Sequence, residues 1–361
     1  MMTDKWTYRW LWSCLLAGGL LLSGCSDSHE EALLSESDSE PGTPLELRAL
    51  TRTEGATPLT GSISSSIRVL LTSATDKMQI GDFTNTGTGW SSELSVKEER
   101  QYYLYGYMPK AISNRSSTDT VAFTKPANPL NYADGIDITM KGLPALTNED
   151  ICVVVGVQRV DGEGASANVV EGNYSYLSGI WGKNYVNLLM GHVYCSVKLN
   201  FKLDANYAKL RSIRLKEITL SSTYGNVDAT LNLRSGSKGI TPTFTRQETS
   251  NMHTSKLLES PNSLPLLDSH YTVDPLEIPL SAYCTPAIFD VSGQYVSITT
   301  KYEVLDMKGN SLGERTSTNK IKVIAGSVAP GQVKTIVVTV VPTYLYILSD
   351  EDLDTPNLII N

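Results

Sequence analysis

Along one stretch, Val193, Cys195, Val197, Leu199, Phe201 and Leu203 alternate with Tyr194, Ser196, Lys198, Asn200 and Lys202. A period of two puts each set on its own face of a pleated strand, so this run predicts a strand with its apolar side inward. Ile213 and Leu215 alternate in the same way, but Ile218 and Leu220 fall on the other parity, which predicts a bulge at Lys216-Glu217. Further strands are expected over Ser64 to Leu71, Gln101 to Pro109, Ile136 to Met140, Ile151 to Val157, Asp228 to Leu233, Leu276 to Leu280, Tyr295 to Leu305, Ile321 to Ile324 and Val333 to Val341. Lys308-Gly309-Asn310 supplies a hairpin turn. Ala111 to Pro129 and Ser235 to Ser269 read as loops, and no amphipathic helix of normal length stands out. The fold class expected is therefore all-β. With 361 residues and a boundary near Gly182 to His192, two sandwich domains follow, over residues 45–185 and 186–341.

The two ends of the chain differ from this body. Lys5 and Arg9 precede an apolar run, Trp10 to Leu22, that is too short to span a bilayer. It ends in Leu22-Ser23-Gly24-Cys25, the lipobox pattern in which Cys25 carries the lipid, so residues 1–24 read as a lipoprotein signal peptide. Residues 25–44 are rich in Ser, Glu, Asp and Pro and read as a solvated tether. Leu45 to Gly55 begins as an alternating strand and runs into a polar loop, with Arg48 in the strand and Arg52 at its end. At the other terminus, Val333 to Val341 meets Pro342, which has no N–H to give a ladder. Tyr344-Leu345-Tyr346-Ile347-Leu348, an acidic joint and Asn357-Leu358-Ile359-Ile360-Asn361 follow. A sequence that ends on strand-like residues either returns them to its own sheet or offers them to another molecule.

Composition narrows the function. A net charge of −8 and the lack of a Lys/Arg cluster argue against a nucleic-acid partner. There is no Gly-x-Ser-x-Gly elbow, His-Glu-x-x-His or phosphate-binding loop, and His29, His192, His253 and His270 are dispersed. His192 and Cys195 fall on opposite faces of a strand and make a poor ligand pair. Asp350, Asp352 and Asp354 begin like a calcium loop, but Thr355 and Asn361 stand where its Gly and Glu belong. No catalytic residue, cofactor or metal site is expected, and the chain does not read as an enzyme. Setting aside Cys14 and Cys25 leaves Cys152, Cys195 and Cys284, an odd number that sets no disulfide framework; their apolar surroundings read as those of buried small hydrophobes, and a single pair stays open without the sequence saying which. Tyr102, Tyr103, Tyr105 and Tyr107 either fill a sheet face and an interface or, with Trp90 and Trp181, form a stacking platform for sugars.

The segment Pro342 to Asp354 resembles the C-terminal signature of the fimbrillin family, lipoprotein-derived subunits of the type V pili of anaerobic Gram-negative bacteria. Gln101 to Pro109 also resembles the N-terminal domain of that family. The resemblance implies two transthyretin-like β-sandwich domains in tandem and a precursor anchored to the outer membrane through Cys25. It further implies cleavage by an Arg-specific protease after Arg52, or after Arg48, which would remove the first strand and open an apolar groove. Residues 342–361 would then be a donor segment, filling the groove of a neighbouring pilin subunit with Tyr344, Tyr346 and Leu348, or with Leu358 and Ile360. The rival expectation is a monomeric outer-membrane surface lipoprotein that binds glycans.

Overall fold

The structure, a computed structural model, describes residues 42–52, 66–113, 120–125, 131–160, 169–180, 184–222, 225–247, 254–259, 266–278, 282–286, 295–322, 328–341 and 357–360. It is all-β: the described residues form twenty-four strands, numbered here β1 to β24 in chain order, and two short 3-10 turns. Residues 39–361 cluster as one compact unit.

Four sheets carry the strands. The largest runs in the order β4 (Trp90–Ser92), β3 (Gln79–Asn85), β2 (Ile67–Ser73), β6 (Gln101–Met108), β10 (Cys152–Val160), β12 (Asn184–His192), β1 (Thr43–Arg52), β5 (Ser95–Val96), with β11 (Ser175–Leu177) on β6. A second runs β24 (Asn357–Ile360), β23 (Val333–Val341), β13 (Cys195–Leu203), β20 (Ala282–Cys284), β9 (Leu146–Thr147), with β19 (Leu276–Glu277) on β13. The third is β17 (Thr254–Glu259), β14 (Ser212–Ser222), β21 (Tyr295–Leu305), β22 (Ser311–Lys322), with β18 (Leu266–Leu267) on β14. The fourth is β16 (Thr243–Arg246), β15 (Asn226–Arg234), β8 (Gly135–Pro144), β7 (Val121–Thr124). Strands from either side of residue 185 pair with each other, β8 with β15 and β9 with β20.

The period-of-two reading of β13 holds: Val197, Leu199, Phe201 and Leu203 are buried, while Lys198 and Lys202 are half-exposed. Tyr194, Ser196 and Asn200 of the other set are buried as well. The Tyr194 hydroxyl donates to the Pro144 carbonyl at 2.7 Å, which satisfies its polar end inside. The expected bulge is present, since the register of β14 on β21 shifts between Leu215 and Glu217 and leaves Lys216 as the extra residue. The hairpin turn is closed by Asp306, whose carboxylate accepts from the amides of Lys308 and Asn310, and Gly309 takes the positive φ of +83°. Two expectations are corrected. Within the expected loop Ala111 to Pro129, Val121–Thr124 pairs with β8; within Ser235 to Ser269, Thr243–Arg246 pairs with β15 and Thr254–Glu259 with β14. These are short edge strands, and the apolar positions they offer, Val121 and Phe123 on β7 and Phe244 on β16, which pack partly buried on the larger core, are too few to show a period in the sequence.

Two cores flank the large sheet, and β6 serves both. Tyr102, Leu104 and Met108 belong to a smaller core with Leu45, Leu47, Ile67, Val69 and Phe83. Tyr105 and Tyr107 face a larger core that continues through β8, β13, β14, β15 and β21. Gly106 lies where a Cβ would come within 2.6 Å of the Arg68 carbonyl, so only glycine fits the close approach of β2. Tyr105 and Tyr174 stack with ring centroids 4.8 Å apart, and the Tyr105 hydroxyl donates to the Tyr132 carbonyl at 2.5 Å. Burial, reinforced at Tyr105 by Tyr174 and at Tyr174 by Glu171, pushes both phenols well above the usual tyrosine range. A raised folded-state pKa means full stability below the unfolded value of about 10 and progressive loss as pH climbs past it. The thermal midpoint is therefore expected to fall steeply with pH above about 10, and less steeply in a Tyr105→Phe/Tyr174→Phe variant. An equal slope in the two proteins would show that the pair does not contribute.

Candidate functional site

The first strand is built into the large sheet. β1 runs parallel to β12, from Leu45 opposite Asn184 to Arg52 opposite Met190. On its other side β5 pairs only with Thr43 and Pro44, and the Leu45 amide donates to the Leu94 carbonyl at 2.9 Å. Leu45 is fully buried and Leu47 is 4% exposed, both in the smaller core with Leu94, Val96, Val186 and Leu188. Strict alternation would then turn Leu50 outward. The register shift between Leu47 and Ala49 makes Arg48 an extra residue, so Leu50 returns to the core side and packs there half-buried. Arg48 itself is exposed, with its guanidinium 3.7 Å from the centre of the Tyr185 ring. Of the two arginines singled out by the sequence, Arg48 thus occupies a bulge within the strand and Arg52 its last position.

The last strand lies at the edge of the second sheet. β23 is parallel to β13, Ser196 opposite Val333 through Leu203 opposite Val340. β24 pairs antiparallel to β23 over four positions, from Val338–Ile360 to Val341–Asn357. Leu358 is 5% exposed and Ile360 packs half-buried on the larger core, while Ile359 points outward, 46% exposed. The Asn319 side chain on β22 donates to the Leu358 carbonyl at 2.5 Å. So the last described residues are returned to their own sheet, where the sequence left open whether they would stand free. Tyr344, Tyr346 and Leu348 lie outside the described residues, as does the lipobox Cys25.

The structure also joins side chains that the sequence did not. His192 Nδ1 is 2.9 Å from Asp150 Oδ1 and 3.6 Å from Cys152 Sγ, and Cys152 and His192 are directly opposed on β10 and β12. All three residues are buried. A Cys-His-carboxylate relay needs the thiol on one ring nitrogen and the carboxylate on the other. Here both partners meet Nδ1, inside the protein, and the arrangement reads as a polar clasp between strand ends. The tyrosine run does not build a platform: Tyr102, Tyr105 and Tyr107 are buried and Tyr103 is half-buried. Trp181, the other aromatic of that reading, lies outside the described residues.

No family model matches the chain, and no curated protein does. Among solved structures, a fimbrial protein from Bacteroides vulgatus is similar over 89% of this chain and 98% of its own, with 13% identity and a TM-score of 0.41. A protein from Bacteroides fragilis, provisionally described as a cell adhesion protein, covers 89% and 97%, with 8% identity and a TM-score of 0.41. A fimbrial protein from Bacteroides ovatus covers 82% of this chain and 49% of its own, with 11% identity and a TM-score of 0.32. Neither the identities nor the TM-scores are high enough to transfer a function.

Proposed function

We propose that this chain is a structural subunit of a surface fimbria, exported as a lipoprotein through Cys25 and assembled by exchange of strands between copies. The observation that carries the reading is β1: a strand of ten residues beside the large sheet's end, buried through Leu45 and Leu47, and ending on Arg52. Its removal by an Arg-specific protease would break its pairing with β12 and the two contacts to β5, and no strand beyond them. Burial of two leucines is worth about 3–6 kcal/mol, so the vacated groove is strongly apolar and needs a filler. Leu358 and Ile360 have the same i, i+2 spacing as Leu45 and Leu47, and β24 holds its present place by four paired positions. Tyr344, Tyr346 and Leu348 offer the alternative donor face. Head-to-tail donation does not close on itself and therefore yields a filament.

While β1 occupies the groove, no donor can enter, which keeps the precursor monomeric until it is cut. The test uses purified protein beginning at Ser26, treated with an Arg-specific protease and read by N-terminal mass, SDS-resistant laddering and negative-stain microscopy. Ladders that disappear when the chain is truncated after Val341 are expected. A clean cut that leaves a stable monomer, or ladders indifferent to the truncation, would remove the strand-exchange mechanism.

A further inference from the structure

We propose that Cys195 and Cys284 are joined by a disulfide across the second sheet, with Cys152 outside the bond and reduced. Cys195 on β13 and Cys284 on β20 are directly opposed in an antiparallel pair, fully buried, with their sulfurs 3.5 Å apart. Opposed residues of such a pair stand about 4.5–5.5 Å apart at Cα, inside the span of about 4.4–6.8 Å that disulfides bridge. The sulfurs, 3.5 Å apart, have about 1.5 Å to close to reach the bonded separation of about 2.0 Å. At present the Cys195 thiol donates to the Cys284 carbonyl at 3.1 Å, an interaction between thiol and backbone that is weak and easily given up. Cys152 is engaged elsewhere, beside His192 and Asp150.

The chemistry needs a two-electron oxidant, here a disulfide-bonded donor of the kind found outside the cytosol. One thiolate attacks the donor's S–S bond and releases one donor thiol. The second cysteine then attacks the mixed disulfide and releases the other. Two protons and two electrons pass to the donor, which leaves as two thiols. Timing follows from burial. Burial of Cys284, with Cys195 beside it, pushes its thiol well above the usual cysteine range. Both sulfurs are fully buried, so the folded sheet gives a donor no access, and the bond forms while the strands are still coming together. Once made, it closes the loop from residue 195 to residue 284, including β14 to β19, and is shielded from reductant.

The experiment exports the full chain through the envelope of a Gram-negative host, lyses the cells directly into alkylating reagent, and digests with trypsin without reduction. Each cysteine falls on its own peptide: 142–159 for Cys152, 184–198 for Cys195 and 257–301 for Cys284. The expected product is peptide 184–198 linked to 257–301, lighter by two hydrogens than their sum, with peptide 142–159 alkylated. Reduction under unfolding conditions followed by refolding with blocked thiols should lower the thermal midpoint by several degrees. A Cys195→Ala/Cys284→Ala variant should lose that sensitivity to reductant. Alkylation of all three peptides, or a link through Cys152, would overturn the proposal. The wild-type digest decides the matter even if the variant does not fold.

Discussion

Replacing Leu45 and Leu47 together by aspartate is expected to release β1 while the rest of the large sheet stays folded. Each leucine loses its apolar burial, about 1.5–3 kcal/mol, and each new carboxylate would have to enter a core that offers it no partner. Both positions are in the smaller core, at 0% and 4% exposure, so neither charge can reach water with the strand in place. The remaining strands of that sheet keep their own ladders: β2, β6, β10 and β12 pair in sequence without β1. Backbone amide exchange over Thr43–Arg52 should change from protected to fast, with β2 and β6 still protected. The bared edge of β12 should also make the variant self-associate at concentrations where the wild type is monomeric. Unchanged protection of β1 would show that it is not held through these leucines. If the aspartates prevent folding, Leu45→Ala with Leu47→Ala is the gentler probe, at about 2–5 kcal/mol per site before relaxation.

The second large effect concerns which arginine is cut. Arg52→Ala is expected to slow release of the first strand by about 10²-fold or more, and Arg48→Ala to leave it nearly unchanged. A protease takes its substrate as an extended segment, so a paired strand must open before it is cleaved, and the rate follows the open population. Opening around Arg48 pulls Leu45 and Leu47 from the core, at about 3–6 kcal/mol, which lowers the open population about 10²–10⁴-fold. The stacking of Arg48 on Tyr185 adds to that barrier. Arg52, the last residue of β1, needs only the strand end to fray. Mass analysis of the wild-type product should give a chain beginning at Thr53. A product beginning mainly at Ala49 would contradict the assignment.

The sequence was most legible where one side chain after another reports the same face. β13 and the bulge at Lys216 could be read from parity alone, because burial on one side forces the period of two. The alternation that opens at Leu45 was legible in the same way as a first strand. The parallel pairing of that strand with β12 was not, since nothing local specifies a partner so far along the chain. The same limit applies to β8 on β15 and to β20, whose three residues bring Cys284 opposite Cys195. β7, β16 and β17 escaped for a different reason: each is a short edge strand joined to one neighbour, and one or two apolar positions are too few to show a period. The return of β24 to β23 belongs with them, because an Ile-rich end suits its own sheet and a neighbour's groove alike.

The most direct measurement places a photo-cross-linking amino acid at Ile359, which is exposed at the sheet edge. Isotopically heavy chains without the probe are mixed with light chains carrying it, treated with the Arg-specific protease, and irradiated once laddering is complete. Strand exchange predicts light tail peptides joined to heavy peptides from β12 or β5, the two strands that flank β1. Cross-links confined to light β22 or β23, in protein that has nonetheless been cut and assembled, would show that the tail never leaves its own sheet and would contradict the mechanism.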